Sequence, residues 1–257
     1  MEERTLKSWE EFEQALAEID NETKRLQGQA SSNVSYPLFR GVGDSKYHLE
    51  STLDRIKKEM KLSGYITKVK IAREYVATCI GTKWDLNKKI FCEKDLELPA
   101  YEFMAYLRHN GFPSPLTDWT KSPYIAAFFA FRDINSEAEH VSIFFYREYC
   151  GNAKEWSGNE PRIHTIGPSI KTARTHFLQQ SEYLFCVKPN SENEWIFADY
   201  EQVPPYKDQN IMTKYNIPGS ERKEVLKKLD SMNITAYSLF GSEPSLMETL
   251  ALREICF

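Results

Sequence analysis

An uninterrupted apolar run at residues 124–131 places the strongest constraint on how this sequence folds. Ser122 suits the N-cap position before it, and Pro123 suits the first helical position. A helix that is apolar on every side has no face for solvent, so it must be buried all round. The sequence therefore predicts an enclosed central helix, introduced by a polar and aromatic turn at residues 117–121.

Composition excludes several classes of protein. With 257 residues, of which 27% are charged, the chain has the length of one large domain or two small ones. Its net charge of −4 gives no general attraction for nucleic acid. The first twenty residues are too acidic for a signal peptide, and no apolar run of about 18 residues could span a membrane. We therefore expect a cytoplasmic protein without a membrane partner.

The cysteines and histidines predict neither disulfides nor a metal site. Five residues of each type are scattered along the chain, and the cysteines form no Cys-x-x-Cys pair. The histidines show no His-Glu-x-x-His motif or other paired ligand spacing. We therefore expect reduced thiols and no metal cofactor.

Helical patterns cluster towards the two ends of the chain. Ser8 opens a capping box that begins an amphipathic helix. Residues 51–80 are helical and heavily charged, which predicts two helices broken near Gly64. A further charged helix begins at Ser220, and a last helix follows Pro244.

The β-rich runs at residues 140–148 and 182–189 predict central strands. Strands placed between early and late helices favour an α+β fold over regular βαβ alternation. We therefore predict a single domain with a central mixed β-sheet and flanking N-terminal and C-terminal helices. Residues 1–30 form an N-terminal helix packed on a domain of residues 31–257.

Arg40 is the first candidate site residue. It ends an apolar strand pattern and is followed by Gly41 and Gly43. A surface ion pair at the strand end is the ordinary explanation. The functional alternative is a rigid strand that presents a guanidinium to an anion, with glycines that let the ligand approach the backbone.

The turn at residues 117–121 is the second candidate. The N-terminus of the following helix directs unsatisfied N–H groups and its positive dipole end towards this turn, which suits a bound anion. The ordinary explanation makes Asp118 a helix cap and Trp119 a core residue.

The third candidate lies at residues 179–182. Strand alternation would place Gln180 and Glu182 on one face, where an amide and a carboxylate can hold a sugar hydroxyl and stabilise an oxocarbenium ion. The alternative is an edge-strand glutamate in solvent, with Arg174 and Lys171 as nearby partners for an ion pair. The preceding residues 171–180 fit a helix and an extended segment equally well.

Together these segments resemble the FRG-domain family of bacterial proteins. The resemblance rests on FRG at residues 39–41 and HNGFPSPLTDWTKSPYIAAFFA at residues 109–130. RTHFLQQSEYLF at residues 174–185 and MNITAYSLFGSEPSLMETLA at residues 232–251 complete it. It covers residues 34–251.

The order of the segments is also similar to that of arginine–serine–glutamate ADP-ribosyltransferases. In those enzymes a strand arginine binds NAD, a Ser-Thr-Ser strand supports the site, and Gln-x-Glu or Glu-x-Glu places the catalytic carboxylate. This resemblance implies an ADP-ribosyltransferase-like sheet. It also implies an enzyme that cleaves the nicotinamide–ribose bond of NAD and modifies a protein or nucleic acid, in toxin or phage-defence biology.

The same resemblance implies roles for particular residues. Glu182 stabilises the ribosyl cation, Gln180 contributes to acceptor choice, and Arg40 anchors NAD. The other residues implied to bind NAD are Gly41, Thr117, Asp118, Trp119, Thr120, Ser122 and Arg174.

The sequence reads TDWT where the transferases have Ser-Thr-Ser, so Trp119 either stacks on a nicotinamide or adenine ring or fills the pocket. Two other functions stay open. One is a non-catalytic module that keeps the fold and binds a nucleotide, nucleic acid or protein. The other is an NAD glycohydrolase, in which water is the acceptor.

Overall fold

The computed structural model describes residues 1–29, 33–93, 96–156, 158–167, 170 and 174–257. Its strands are β1 (Glu2–Thr5), β2 (Asn33–Val34), β3 (Leu38–Val42), β4 (Lys89–Glu93), β5 (Leu96–Pro99), β6 (Thr117–Thr120), β7 (His140–Gly151), β8 (Arg162–Ile166), β9 (Ser181–Pro189), β10 (Trp195–Phe197) and β11 (Gln209–Pro218). Its α-helices are α1 (Trp9–Gln29), α2 (Leu62–Ile80), α3 (Tyr101–His109), α4 (Pro123–Phe131), α5 (Arg174–Leu178), α6 (Arg222–Ser231), α7 (Ala236–Phe240) and α8 (Glu243–Ala251).

Nine of the strands form one sheet that is nearly divided in two. Its order is β1-β11-β7-β3-β6-β9-β10, with β2 paired to β7 and β8 paired to β9. The β1–β11 pair is parallel and the others are antiparallel, which confirms the predicted α+β class with a central mixed sheet. Among the described residues, β3 and β6 pair only through Phe39 and Thr120. The two halves of the sheet therefore diverge on either side of this bridge.

The inner faces of the two halves share a buried core. One half contributes Leu38, Phe144 and Tyr146, and the other contributes Trp119 and Leu184. Helices α1, α4 and α6 cover the outer face of the first half. Helices α2 and α3, with the β4–β5 hairpin, cover the outer face of the second half. The opening between β3 and β6 is therefore flanked by helices from both outer layers.

Helix α4 has the start and the environment that its sequence predicts. The Oγ of Ser122 accepts a hydrogen bond from the Ile125 amide at 3.3 Å, and Pro123 occupies the first turn. Six of its nine residues are buried, namely Ile125, Ala126, Ala127, Phe128, Ala130 and Phe131. This confirms the enclosed central helix and assigns its N-cap to Ser122, not to Asp118.

Strand β3 and helix α4 touch backbone to backbone at Gly41. A Cβ on Gly41 would overlap the carbonyl oxygen of Ala126 and would lie 2.7 Å from the amide nitrogen of Ala130. The glycine is therefore explained by close helix–strand packing. Gly41 also lines the cavity described below, so its predicted part in ligand binding stays a prediction.

Other sequence predictions have mixed outcomes. The strands predicted at residues 140–148 and 182–189 are present as β7 and β9, and α1, α6 and α8 are the predicted terminal helices. The predicted break near Gly64 is wrong, because α2 runs through it and residues 51–60 form turns. Within residues 171–180 the described part contains the short helix α5, and residues 171–173 lie outside the described residues.

The N-terminal segment is more than a helix. Strand β1 joins the sheet beside β11, and α1 buries Phe12 and Ile19 in the core around α4. The predicted boundary lies between residues 30 and 31. Both are outside the described part of the chain, so this division stays a prediction.

All five cysteines are free. None of the described helices is long and apolar enough to cross a membrane.

Replacing Gly41 with alanine tests the β3–α4 contact. We expect Gly41→Ala to lower the free energy of unfolding by about 3 kcal/mol, because neither backbone can move away without disturbing the core. Gly28→Ala is the matched control, since Gly28 lies in α1 with nothing within 4 Å of an added Cβ. The control is expected to stabilise by ~0.5–1 kcal/mol through helix propensity. Urea unfolding measures both, and equal midpoints for the two variants would contradict the packing account.

Candidate functional site

A cavity of about 570 Å³ opens where β3 and β6 separate. We call it the cleft. Its walls come from β3, the C-terminal end of α3, β6, one side of α4 and residues in and after α5. This volume lies within the range of small-molecule sites, about 300–1,000 Å³. The cleft is therefore large enough for a nucleotide-sized ligand.

Two arginines share one carboxylate in the cleft. Nη1 of Arg40 donates to the backbone oxygen of Asp118 at 2.6 Å and lies 3.9 Å from its Oδ2. Nε and Nη2 of Arg108 lie 2.9 and 2.7 Å from the same Oδ2. These three side chains carry one net positive charge. Since a partly buried excess charge is unfavourable without a counter-ion, the arrangement suits an anionic ligand.

Burial affects both Arg40 and Asp118. Desolvation lowers the pKa of the Arg40 guanidinium, although the nearby Asp118 carboxylate acts in the opposite direction. Arginine nevertheless stays protonated in proteins. Oδ1 of Asp118 is buried and has no hydrogen-bond partner in the described part of the chain. That oxygen is therefore an unsatisfied buried acceptor in the wall of the cleft.

Trp119 contacts the other half of the sheet from inside, and Thr117 fixes the position of its indole. Oγ1 of Thr117 donates to the Leu184 carbonyl at 3.2 Å, accepts from Nε1 of Trp119 at 2.9 Å, and contacts the Tyr200 hydroxyl at 2.9 Å. Trp119 borders the cleft but is only 2% exposed, and its ring packs against Tyr146. Of the two alternatives for Trp119, the geometry favours packing over stacking on a ligand ring.

Thr120 and Ser122 organise the turn before α4. The hydroxyl of Thr120 accepts a hydrogen bond from the Ser122 amide at 3.1 Å, and Thr120 also lines the cleft. Ser122 is occupied as the N-cap of α4. Residues 117–120, predicted as part of a turn, form strand β6, which presents Asp118 and Thr120 to the cleft, while Ser122 serves the helix.

Glu182 lies outside the cleft. Its Oε1 is 2.9 Å from Nζ of Lys121, and it lines a separate cavity of about 220 Å³ with Glu148 and Thr165. It is the strand partner of Trp119, so its side chain points to the inner face of the sheet. The structure therefore brings Arg40 and Asp118 together but does not bring Glu182 to them.

The expectation that Gln180 shares a strand face with Glu182 is wrong. Strand β9 begins at Ser181, and Gln180 lies in the turn before it, exposed and with a φ of 48°. A left-handed residue interrupts the alternation on which that expectation depended. Arg174 is also exposed, at the start of α5, whereas Thr175 and Gln179 line the cleft.

Sequence reasoning did not single out a row of side chains beside the cleft. Nε2 of His109 lies 2.7 Å from the hydroxyl of Tyr183, and Nδ1 of His176 lies 3.2 Å from the same hydroxyl. Arg108 was missed as well. The available signal was the Arg-His pair at the end of a helical pattern, but basic residues at a helix C-terminus are common for purely local reasons.

One part of the chain is similar to a known domain family. Residues 35–139 match the model of the FRG domain, which confirms the resemblance for that part of the sequence. No curated protein and no solved structure matches the chain. The matched range includes Arg40, Arg108 and Asp118. It ends before β9, which carries Glu182.

Asp118→Asn tests whether the cleft holds excess positive charge. Loss of the carboxylate leaves two neighbouring guanidiniums uncompensated, so we expect the free energy of unfolding to fall by about 1–2 kcal/mol. Added pyrophosphate is expected to restore more stability in this variant than in the wild type, because the anion replaces the missing charge. Thermal unfolding at several pyrophosphate concentrations measures the effect.

The control for that experiment is Asp230→Asn, which removes a carboxylate paired with Arg253 on the surface. Its thermal stability should show no additional response to pyrophosphate. An equal response to pyrophosphate in all three proteins would exclude an anion site in the cleft.

Proposed function

We propose that the cleft of this FRG-domain protein binds NAD, and that the protein is an ADP-ribosyltransferase-like enzyme. The observation that carries the proposal is the convergence of two arginines on Asp118 in a cavity of about 570 Å³. Arg108 is hydrogen-bonded to the carboxylate of Asp118, and Arg40 is hydrogen-bonded to its backbone oxygen and lies 3.9 Å from its carboxylate. Guanidinium groups bind phosphate oxygens through two parallel hydrogen bonds, so a pair of them suits a diphosphate. NAD has a diphosphate at its centre.

The remainder of the cleft suits the other parts of a dinucleotide. Phe129 and Phe240 form an aromatic wall, with their ring centroids 6.0 Å apart and nearly perpendicular. Hydroxyl and amide groups of Thr175, Gln179 and Ser181 line another side of the cavity. Aromatic walls favour bases and nicotinamide, and uncharged polar groups favour ribose hydroxyls.

Cleavage of the nicotinamide–ribose bond needs stabilisation of the positive charge that develops on the ribose. Asp118 is the carboxylate that lines the cleft, and its Oδ1 is unpartnered among the described residues. Glu182 is the carboxylate that the ADP-ribosyltransferase resemblance favours, but Lys121 holds it outside the cleft. We assign the stabilising role first to Asp118 and keep Glu182 as the alternative.

In the proposed reaction a macromolecular hydroxyl or another nucleophile takes the ADP-ribosyl group, and nicotinamide leaves. With water as the acceptor the same site would act as an NAD glycohydrolase. A second candidate function is a non-catalytic module that binds a nucleotide. The position of Glu182 and the packed state of Trp119 favour that candidate, because both depart from the transferase pattern.

Calorimetric titration with NAD tests the binding proposal. We expect Arg108→Gln to weaken NAD binding by about 10-fold or more, because charge-assisted hydrogen bonds contribute about 1.5–3 kcal/mol. Arg253→Gln is the matched control, since it removes the same charge from an exposed pair with Asp230. It should bind NAD like the wild type. Failure of the folded wild type to bind millimolar NAD would contradict the proposal.

Nicotinamide release from labelled NAD in the presence of cell lysate tests catalysis. We expect Asp118→Asn to reduce release by about 10²-fold, the effect of losing one electrostatic contact to a transition state. Glu182→Gln should retain most of the rate. The reverse order would move the role to Glu182. Binding of NAD without any release by the wild type would support the non-catalytic module.

A further inference from the structure

Three side chains from different elements form a hydrogen-bonded row at the edge of the cleft. His109 ends α3, Tyr183 lies in β9, and His176 lies in α5. The hydroxyl of Tyr183 bridges the two imidazoles, at 2.7 Å from Nε2 of His109 and 3.2 Å from Nδ1 of His176. The ring of His176 also stacks on Tyr183, with an interplanar angle of 14°. These contacts place the three side chains in the order His109, Tyr183, His176.

The hydrogen-bonding capacity of a phenol gives this row two proton arrangements. A tyrosine hydroxyl carries one proton, so it donates to one imidazole and accepts from the other. When Tyr183 donates to His176, Nε2 of His109 must carry a proton and its Nδ1 has a free lone pair. When Tyr183 donates to His109, Nδ1 of His109 carries the proton instead. The two arrangements interconvert when both shared protons shift one place along the row, with one proton gained at Nδ1 of His109 and one lost from Nε2 of His176.

The row opens to the cleft at His109. This residue lines the cavity, and its Nε2 is engaged by Tyr183, so Nδ1 is the nitrogen left for a ligand. Burial lowers the pKa of His109, and Arg108 and His176 lower it further, while Asp118 raises it. The imidazole is therefore neutral near pH 7 and is able to accept a proton.

We infer that His109 is the general base of the cleft, and that Tyr183 and His176 relay the abstracted proton away from it. This inference rests on the proposed function for its substrate, a macromolecular acceptor that attacks through a hydroxyl group. The acceptor oxygen bonds to the ribose C1′ of NAD. The C1′–nitrogen bond breaks, and its electron pair leaves with nicotinamide.

The proton balance of this step uses only groups in the row. The acceptor proton moves to Nδ1 of His109, the Nε2 proton of His109 moves to the Tyr183 oxygen, and the Tyr183 proton moves to Nδ1 of His176. Because Arg108 adjoins His109 in sequence and also lowers its pKa, a positive charge left on His109 is disfavoured. The relay instead places the positive charge on His176, on the far side of Tyr183 from His109.

The relay is tested first without any substrate, by the ¹⁵N NMR signals of the histidine rings. Tyr183→Phe is expected to change the tautomer populations of both His109 and His176, because it removes the shared hydroxyl and little else. Tyr65→Phe is the matched control, since Tyr65 is buried and its hydroxyl donates to the Pro113 carbonyl outside the row. Unchanged His109 and His176 signals in Tyr183→Phe would overturn the relay.

The catalytic role is tested by transfer of labelled ADP-ribose to lysate acceptors, measured against pH. His109→Gln is expected to reduce the rate by about 10²-fold or more. Its affinity for NAD should stay within about threefold of the wild type. In the wild type the rate should rise with pH through the lowered pKa of His109 and then level off. The same pH profile in His109→Gln would overturn the base assignment.

The two proposals fail in different ways. If the wild type binds NAD and releases nicotinamide, and His109→Gln transfers ADP-ribose at the same rate, the assignment of His109 as the base is refuted. The proposed function then still stands. If the wild type binds no NAD, both the proposed function and the proposed substrate of His109 are refuted. The NMR comparison of Tyr183→Phe with Tyr65→Phe would still support or overturn the relay.

Discussion

The whole architecture depends on how two half-sheets are joined. Among the described residues a single pair, Phe39 with Thr120, links β3 to β6. The inner faces of the halves then pack around Trp119, whose indole donates a hydrogen bond to Thr117. Beyond that bridge the strands separate, and α4 is held against β3 by the backbone contact at Gly41. The cleft exists because the halves diverge here while the core behind them stays closed.

The arrangement of charges in the cleft follows from the same geometry. Arg40 sits one residue past the bridge and reaches across the opening to the backbone of Asp118, and Arg108 arrives from α3 on the other side. Asp118 and Arg108 both belong to the second half of the sheet and its helical cover, and the junction brings Arg40 of the first half to them. Part of the FRG match is thereby given a physical meaning: Phe39 packs in the core, Arg40 faces the cleft, and Gly41 admits the helix.

Sequence patterns predicted the parts of this structure that depend on local order. The buried helix, its Ser122 cap and the strands β7 and β9 follow from apolar runs and capping residues. Strand β1 lacks any apolar residue, so periodicity could not reveal it. The helix α2 through Gly64 was missed because tertiary packing overrides a weak helix former.

The candidate site was harder to predict because its residues meet only through long-range contacts. Arg40 and Asp118 were recognised individually, but nothing in the sequence states that they share a cavity with Arg108 and His109. Glu182 shows the opposite problem. Its motif suggested a role beside Arg40, yet one step of strand alternation from Ser181 turns its side chain to the inner face.

A structure of the protein soaked with NAD tests the central claim most directly. We predict that the diphosphate lies within hydrogen-bonding distance of both Arg40 and Arg108, with the ribose next to nicotinamide near Asp118 and His109. Density for NAD in the cavity lined by Glu182, or an unoccupied cleft at saturating NAD, would contradict it.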